Sequence, residues 1–377
     1  MDQREFADTK KCLMNGRITA IHIRQQHTAA PWLAFLSIML VAFSATAQTR
    51  RYPTNPANRG GGIAGTQARS LSVPRIPDAD QAKYIFLNID PQGVGHCYID
   101  AHAFNYFRQL VVDWSDPNDP TCNALHASLW GHGTWTSLDF VDQNYPDMST
   151  YLTSLNEWGI AFGVYWSNSY PYLPQPAAGI NVRTGRWSVL PDTEDLPYNQ
   201  GFSMNNNGLA VGVATDLDNS VFKHWIWDGR KYHFPAFPAD WDVSTNWAGP
   251  LFINDFGQIA GQYVDRKSGR MRGYFQDGWY GGKVTTFDAP GHPSGGTYVN
   301  RMTNSGNLLL IGLYDETSPY YPAHSFSWRR GVFTSLPNVP FRDAVLTHVF
   351  GLNDQGDICG VWWDNNNLGH AFVGYRK

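Results

Sequence analysis

Four aspartates recur along the chain and could bring carboxylates together. Asp216, Asp265, Asp315 and Asp364 stand 49, 50 and 49 residues apart, each eight or nine residues after a glycine. Carboxylates that converge on one face can bind Ca²⁺ or act as general acid and base. Aspartate also hydrogen-bonds its own backbone in turns, and recurrence at one position of a repeat favours this interpretation. We therefore predict no cofactor, with Ca²⁺ at these four side chains as the alternative.

Four histidines, His126, His224, His324 and His370, begin segments that are rich in large apolar residues. Equivalent histidines could converge on a metal ion. Side chains at i and i+2 share one face of a strand, so His370 shares its face with Phe372, which must pack inside the protein. We therefore expect these histidines to make structural hydrogen bonds.

Aromatic residues mixed with Asn, Asp and Pro form a third candidate site. They lie in segments predicted to be loops, and they are Trp166, Tyr170, Tyr172, Trp241, Trp247, Tyr320 and Tyr321. Rings on one loop face suit stacking on sugars or binding an extended peptide. Alternatively, these rings cap sheet edges and fill the interior. Common hydrolase, zinc-protease and nucleotide-binding motifs do not occur in the sequence. Active sites of propellers are assembled from scattered loop residues, so the absence of these motifs does not exclude an enzyme, and the sequence assigns no catalytic residue.

A repeat of about 49 residues must position these candidates. An Asn-x-x-Gly pattern, with Thr in place of Asn in one copy, ends at Gly159, Gly208, Gly257, Gly306 and Gly356. The pattern separates short apolar segments and is typical of a hairpin turn in which the glycine adopts positive φ. Units of four strands at this period predict the blades of a β-propeller. Six units fit, and the first is degenerate because Arg108 replaces the glycine.

The two ends of the repeat region predict how the ring closes. The last unit stops at a third strand, at residues 369–375, and an isolated apolar segment at residues 84–90 precedes the first unit. If this segment supplies the missing strand, no sheet edge stays exposed. We predict an all-β, six-bladed β-propeller of four-stranded blades over residues 79–377, with the N-terminal strand closing the last blade. An open solenoid would not explain the orphan strand.

The first 78 residues have a different character. Residues 32–43 form an apolar run that follows Arg17 and Arg24 and precedes Ala45-Thr46-Ala47, which is the pattern of a secretory signal. A membrane anchor is the alternative, but a spanning helix needs about 20 apolar residues. We predict a signal peptide over residues 1–47, begun at Met1 or Met14, and a Gly/Pro/Arg-rich linker over residues 48–78. The mature chain should lack a membrane span and be extracellular, periplasmic or on the cell surface.

Composition and charge exclude several classes of protein. The chain is 16% charged and 15% aromatic, with 36 Gly and 23 Pro, which excludes a disordered chain and a helical bundle. Residues 79–377 contain 18 Lys and Arg against 28 Asp and Glu. Proteins that bind nucleic acid usually carry a basic patch, so we do not expect a nucleic-acid partner.

Three of the four cysteines lie in the predicted propeller, because Cys12 is removed with the signal peptide. An oxidising compartment permits a disulfide. Cys97 precedes the first strand of blade one, and Cys122 lies in the loop between its second and third strands. Both should be on the same face, so we expect them to pair and Cys359 to remain a thiol.

The sequence resembles the HAF repeats of bacterial extracellular proteins, which are named after the His-Ala-Phe that occurs here at residues 370–372. The resemblance covers residues 84–377. It rests on the Asn-x-x-Gly turn, a second glycine four residues later, and the ending at residues 285–291. Arg108 and the segment around Ala178–Ile180 depart from the pattern. The resemblance implies secretion and a propeller, and it implies nothing about catalysis.

These observations predict a secreted monomer that binds a glycan, peptide or protein partner through its aromatic loops. One alternative is a hydrolase or lyase that acts on polysaccharide or a lactone, with loop Asp and His residues as acid and base. Another is a cell-surface structural scaffold. Two carboxylates about 5–10 Å apart on the loop face would indicate a glycosidase-like enzyme, and an aromatic platform without such a pair would indicate binding.

Overall fold

The described part of the chain forms six sheets, each built as a blade around a common axis. This computed structural model describes residues 81–377 except 120, 171–174, 192–197, 217–220, 246–247, 291–295, 305–309 and 315–323. The predicted signal peptide and linker lie outside this part. In the described residues, no helix is long and apolar enough to span a membrane.

The strands of each blade run outward from the axis in chain order, and we call them strands a to d. The first half of the chain contains β1 (Tyr84–Asn88), β2 (Ile99–Phe104), β3 (Leu110–Ser115), β4 (Leu125–Gly131), β5 (Thr134–Ser137), β6 (Met148–Leu155), β7 (Ile160–Ser167), β8 (Ala177–Asn181), β9 (Arg186–Val189), β10 (Tyr198–Met204), β11 (Ala210–Asp216), β12 (Val221–Trp227) and β13 (Tyr232–His233). Blade 1 consists of β2–β5, blade 2 of β6–β9 and blade 3 of β10–β13.

The second half of the chain completes the ring. It contains β14 (Trp241–Asp242), β15 (Gly249–Ile253), β16 (Ile259–Asp265), β17 (Arg270–Gln276), β18 (Val284–Phe287), β19 (Thr297–Met302), β20 (Leu310–Tyr314), β21 (His324–Arg329), β22 (Val332–Ser335), β23 (Leu346–Leu352), β24 (Ile358–Trp363) and β25 (Gly369–Arg376). Blade 4 consists of β15–β18, with the short β14 as an additional partner of β16, and blade 5 of β19–β22.

Blade 6 contains strands from both ends of the described chain. Strand β1 pairs antiparallel with β25, from Tyr84 opposite Arg376 to Asn88 opposite Phe372. The Ile89 amide extends the pairing by donating to the Ala371 carbonyl oxygen at 2.9 Å. The predicted six-bladed propeller and its closure by the N-terminal strand are confirmed.

The asparagine of the Asn-x-x-Gly turn joins neighbouring blades. Its Nδ2 donates to the backbone carbonyl of the equivalent residue in the next blade, as in Asn156 to Asn205 at 3.1 Å and Asn205 to Asn254 at 2.8 Å. Asn353 donates in the same way to Asn105, from the last blade to the first. The six turn residues at this position are buried. The motif therefore closes a hairpin and also holds the ring together.

The second glycine of the repeat is required by a close backbone approach. In every blade strand a has a register irregularity opposite strand b. A Cβ built on Gly261 would lie 1.9 Å from the Gly249 carbonyl oxygen, and one on Gly312 would lie 1.9 Å from that of Tyr298. Gly312 therefore has the structural role of the second glycine, although the sequence displaces it from the expected spacing.

Arg108 replaces the turn glycine of blade 1 and adopts the same backbone conformation, with φ of 59°. Its Nε donates to Asp357 Oδ2 of blade 6 at 2.9 Å, and its guanidinium lies 4.7 Å from the centre of the Tyr375 ring. A non-glycine residue in this conformation is strained. The contacts across the blade 6–blade 1 junction offset that strain.

Six apolar clusters account for the core, one at each junction between blades. Aromatic rings contribute much of this packing, as where Phe287 of blade 4 stacks on Trp328 of blade 5 at 4.8 Å between centroids. Both faces of each sheet are covered by neighbouring blades. Much of the high aromatic content therefore serves the architecture.

Candidate functional site

The predicted aromatic loop residues differ in exposure. Trp166 and Trp241 are buried, each with 7% of its surface exposed. Trp166 donates through Nε1 to Asn168 Oδ1 at 3.0 Å, and Trp241 stacks on Tyr263 at 3.8 Å. Neither ring offers a face to a ligand, because both fill gaps at the ends of strands. Tyr170 is exposed, whereas Tyr172, Trp247, Tyr320 and Tyr321 lie outside the described residues.

The described recurrent aspartates bond their own turns. Asp265 accepts hydrogen bonds from the Ser268 hydroxyl and from the Lys267 amide. Asp364 accepts from the Asn366 and Leu368 amides at 2.8 and 2.9 Å. The Asp216 side chain and Asp315 lie outside the described part, and within that part no cluster of His, Cys, Asp or Glu could hold a metal ion.

The histidines of strand c in blades 1 and 6 hold the end of strand d, and His224 of blade 3 bonds the Val243 carbonyl oxygen through Nε2 at 2.8 Å. His126 pairs with Asp139 at 3.0 Å, and His370 pairs with Asp90 at 2.7 Å. In blade 4 the same place is taken by Arg272, which bonds Asp288. These contacts agree with the expected structural role.

Cys97 and Cys122 are joined by a disulfide in blade 1. The bond links the segment before β2 to the loop between β3 and β4. Cys359 is a free thiol, buried in β24, where it donates to the Ala101 carbonyl oxygen at 3.2 Å.

A buried polar cluster at the junction of blades 1 and 2 was missed by the sequence analysis. His102 on β2 lies 2.9 Å from Asp100 through Nδ1 and 3.0 Å from the Leu152 carbonyl oxygen through Nε2. Asp113 on β3, fully buried, lies 3.5 Å from His102 and accepts from the Leu152 amide at 3.0 Å. The cluster has no sequence signal, because its members come from different strands.

The charge state of His102 follows from its surroundings. Burial lowers its pKa, but the neighbouring Asp100 and Asp113 outweigh burial and raise the pKa to about 9. Both ring nitrogens face oxygen atoms, so both must donate. Tyr151 adds a hydrogen bond from its hydroxyl to Asp100 Oδ2 at 3.2 Å, and burial raises the pKa of this phenol well above its usual value.

The bonds within the cluster define what it can do. His102 has no free ring nitrogen with which to take a proton from a substrate, and Asp100 is engaged by both His102 and Tyr151. The contacts to Leu152 and Tyr151 all cross from blade 1 to blade 2. The cluster therefore acts as a brace between two blades.

The channel is crossed by a buried arginine. Arg301 on β19 of blade 5 donates toward the Thr153 and Leu155 carbonyl oxygens on β6 of the opposite blade, at 3.5 and 3.4 Å. Burial lowers its pKa, and the nearby Glu157 and Asp354 act in the opposite direction. The guanidinium therefore connects two opposite blades across the axis.

Among the described residues, six exposed aromatic rings lie at the end of the propeller where the a–b turns and c–d hairpins are, which we call the turn face. The exposed rings are Tyr106, Phe107, Trp158, Phe234, Phe256 and Tyr280. Phe107, Trp158 and Phe256 each occupy the third position of the Asn-x-x-Gly turn or its Arg108 variant. The third position of the turn is the sequence feature that could have predicted these exposed rings, because the turn points its side chain away from the blade.

The c–d hairpin of blade 4, residues 277–283, carries two adjacent aromatic residues, Trp279 and Tyr280. Seven residues separate β17 from β18, whereas two to four separate the corresponding strands of blades 1, 2, 3 and 5. Tyr280 is 80% exposed. A hairpin of two to four residues is enough to connect strands c and d in the other blades. The longer hairpin of blade 4 and the exposure of Tyr280 therefore indicate a role at the surface.

The hairpin is held in place by hydrogen bonds. The Asp277 amide donates to the Lys283 carbonyl at 3.0 Å, and Gly282 donates to Gly278 at 3.2 Å. Gln258 of the neighbouring a–b turn donates to Asp277 Oδ1 at 2.9 Å. A fixed backbone presents the two rings with a smaller loss of conformational entropy on binding.

A cleft of about 190 Å³ lies between blade 3 and this hairpin. Its lining consists of Ile226, His233, Phe234, Pro235, Trp279 and Tyr280. The Gly257 turn lies against the Trp279 ring, which places exposed Phe256 next to the cleft. We call Phe234, Phe256, Trp279 and Tyr280 the aromatic surface.

A second cleft occupies the equivalent place between blades 4 and 5. It has a volume of about 390 Å³ and is lined by Phe275, Thr285, Trp328, Arg330 and Gly331. The hairpin here is only Arg330-Gly331, so no exposed aromatic pair overhangs it. The two clefts share one architectural position and differ in the hairpin that borders them.

No protein-family model and no curated protein sequence matches the chain. Solved structures that resemble it include the SapL1 lectin in complex with alpha methyl fucoside, at 12% identity and a TM-score of 0.46, covering 73% of this chain and 94% of the other. YCF48 bound to D1 peptide matches at 10% identity and a TM-score of 0.41, covering 80% and 98%. Puromycin hydrolase matches at 12% identity and a TM-score of 0.43, covering 74% of this chain and 43% of that enzyme. These likenesses concern the propeller fold.

Proposed function

We propose that the protein is an exported β-propeller binding module that recognises an extracellular partner through the aromatic surface. The observation that carries this proposal is the extended hairpin of blade 4, which presents Trp279 and Tyr280 on a hydrogen-bonded backbone. Rigid aromatic side chains give large contact area with little loss of conformational freedom, which is why they dominate binding surfaces.

The proposal places recognition on the turn face. The sequence analysis assigned it to the loops at the opposite end. Trp166 and Trp241 there are buried and Tyr170 is exposed, and the other four residues of that prediction lie outside the described residues, so binding by those loops stays a prediction. Exposed apolar rings that are grouped on one surface are unfavourable in water unless a partner covers them. The partner is a glycan, a peptide or a protein.

Export and family membership are part of the same proposal. The N-terminal apolar run supports a signal peptide, and the Cys97–Cys122 disulfide supports an oxidising compartment. The repeated turn, the second glycine and the His-Ala-Phe segment support membership of the HAF repeats of bacterial extracellular proteins.

Glycan and peptide arrays probed with the purified protein, with and without Ca²⁺, test the proposal. We expect a Trp279→Ala/Tyr280→Ala double variant to lose binding by tenfold or more, because these rings supply the central contact. Phe107→Ala is the matched control, since it removes an exposed ring from the same face in blade 1 and should bind as the natural protein does. Equal binding by the double variant and the natural protein would refute the proposal.

A further inference from the structure

We infer that the cleft between blades 3 and 4 binds one neutral sugar residue of a glycan. This inference rests on the proposed function, because it names the ligand class that the aromatic surface would take. The cleft volume of about 190 Å³ suits a single ring-shaped group. An extended peptide would need a longer groove with backbone partners along it.

The walls of the cleft match the shape of a sugar ring. Trp279 and Tyr280 meet edge to face at 4.8 Å, and the His233 ring lies 5.1 Å from Trp279. One face of a pyranose ring consists of C–H bonds, which pack on an aromatic face and are removed from water there. Two rings set at a steep angle can contact one face and one edge of such a ligand.

His233 supplies a polar group at the edge of this apolar lining. Its Nε2 lies 2.6 Å from Asp228 Oδ2, and Asp228 Oδ1 accepts from the Arg230 and Lys231 amides, each at 2.9 Å. These bonds fix the carboxylate and the imidazole ring. Nδ1 of His233 has no hydrogen-bond partner among the described residues, so it can bond a ligand hydroxyl.

The remaining lining favours an uncharged ligand. Ile226, Phe234 and Pro235 complete the cleft, and no Lys, Arg, Asp or Glu is among its lining residues. The apolar lining offers a charged group no direct counter-ion, so it favours an uncharged one. The cleft between blades 4 and 5 differs here, because Arg330 lines it.

The test uses the full-length protein on an array of neutral oligosaccharides, acidic oligosaccharides and peptides, followed by titration with the free monosaccharide that corresponds to the best neutral hit. We expect neutral glycans to bind, and Trp279→Ala, Tyr280→Ala and His233→Phe each to weaken binding by about tenfold. Phe107→Ala and Arg330→Ala are controls and should leave the affinity unchanged. Tyr280 is so exposed that its removal leaves packing intact, which thermal unfolding would verify.

The outcomes separate this inference from the proposed function. Binding of peptides or acidic glycans alone, lost in Tyr280→Ala, would overturn the neutral-sugar inference and leave the proposed function standing. Binding of neutral glycans that survives all three cleft variants would overturn both. Neutral-sugar binding that is lost in the cleft variants and kept in the two controls would support both.

Discussion

His102 shows how a position in the fold decides the state of a side chain. Burial by itself would keep an imidazole neutral, yet Asp100 and Asp113 lie close enough to raise the pKa of His102 to about 9. The protonated ring then bonds across the junction to the Leu152 carbonyl. A charge that is buried and paired in this way contributes to stability only while both partners remain.

His102→Gln should destabilise the protein, because it removes the cation that lies between Asp100 and Asp113 and bonds the Leu152 carbonyl of blade 2. We expect a loss of about 3 kcal/mol in the free energy of unfolding, as for other buried pairs broken on one side. Urea unfolding followed by intrinsic fluorescence would measure it. His126→Gln is the matched control, since that His–Asp pair is partly exposed and should lose about 1 kcal/mol or less. Equal losses in unfolding free energy would show that the cluster between blades 1 and 2 stabilises the protein no more than a partly exposed His–Asp pair does.

The raised pKa of His102 also predicts a dependence of stability on pH. The pKa of His102 is raised in the folded state above its unfolded value of 6.5, so its contribution is fully present below pH 6.5. The contribution is lost as the pH rises through about 9. We expect the difference in unfolding free energy between the natural protein and His102→Gln to shrink between pH 6.5 and 10. A difference that stays constant over this range would contradict the raised pKa.

The aromatic residues show that residue type alone does not predict whether a side chain is buried or exposed. Trp241 and Tyr280 both lie in short segments that are rich in Asp, Gly or Pro. Trp241 is buried against Tyr263, whereas Tyr280 is 80% exposed. The difference in exposure between Trp241 and Tyr280 comes from the structural element in which each residue lies. Strand β14 pairs with β16 and brings Trp241 over the sheet, whereas the blade 4 hairpin extends beyond its sheet.

At the scale of the element, the repeat motif was predictable because it is local. The Asn-x-x-Gly turn is defined by four consecutive residues, and strand b of blades 2, 3, 4 and 6 begins one or two residues after its glycine. The strand a irregularity and the close approach at the second glycine were not predictable, because they depend on how two strands pair. Gly312 illustrates this, since its displaced position in the repeat does not reveal the close approach to the Tyr298 carbonyl that requires a glycine there.

Two glycines of blade 3 offer a sharp comparison. A Cβ on Gly212 would lie 2.2 Å from the Gln200 carbonyl oxygen and 2.2 Å from the Trp225 ring, whereas one on Gly208 would have no atom within 4 Å. Gly212→Ala should therefore destabilise the protein by about 3 kcal/mol or more through overpacking. Gly208→Ala should lose only about 1 kcal/mol, from its positive φ. Thermal unfolding of both variants measures the difference, and equal melting temperatures would contradict the close-packing role.

At the scale of the whole molecule, closure joins the two ends of the described chain. Strand β1 covers the outer edge of β25, and the Asn353–Asn105 bond and the Arg108–Asp357 pair connect blade 6 to blade 1. A ring whose last junction fails would expose a sheet edge and an apolar cluster together. Closure is therefore a point on which the stability of the entire ring depends.

A chain that begins at residue 89 should test closure, because it lacks β1. We expect a loss of about 3–5 kcal/mol from the removed strand pairing and association through the exposed β25 edge. Thermal unfolding and size-exclusion chromatography would show both effects. A chain that begins at residue 79 keeps β1 and is the control. A melting temperature and elution volume that are the same for both chains would refute the closing role of β1.

The sequence by itself determined the number of blades, the turn between strands a and b of each blade, and the strand that closes the ring. These features follow from a spacing that repeats and from backbone conformations that particular residue types prefer. Only the tertiary structure decided which aromatic rings face solvent, that Asp100, His102 and Asp113 meet, and that a cleft forms beside Trp279 and Tyr280. Each of those depends on contacts between residues from different strands or blades that occur at one place in the ring, so the periodicity of the sequence does not record them.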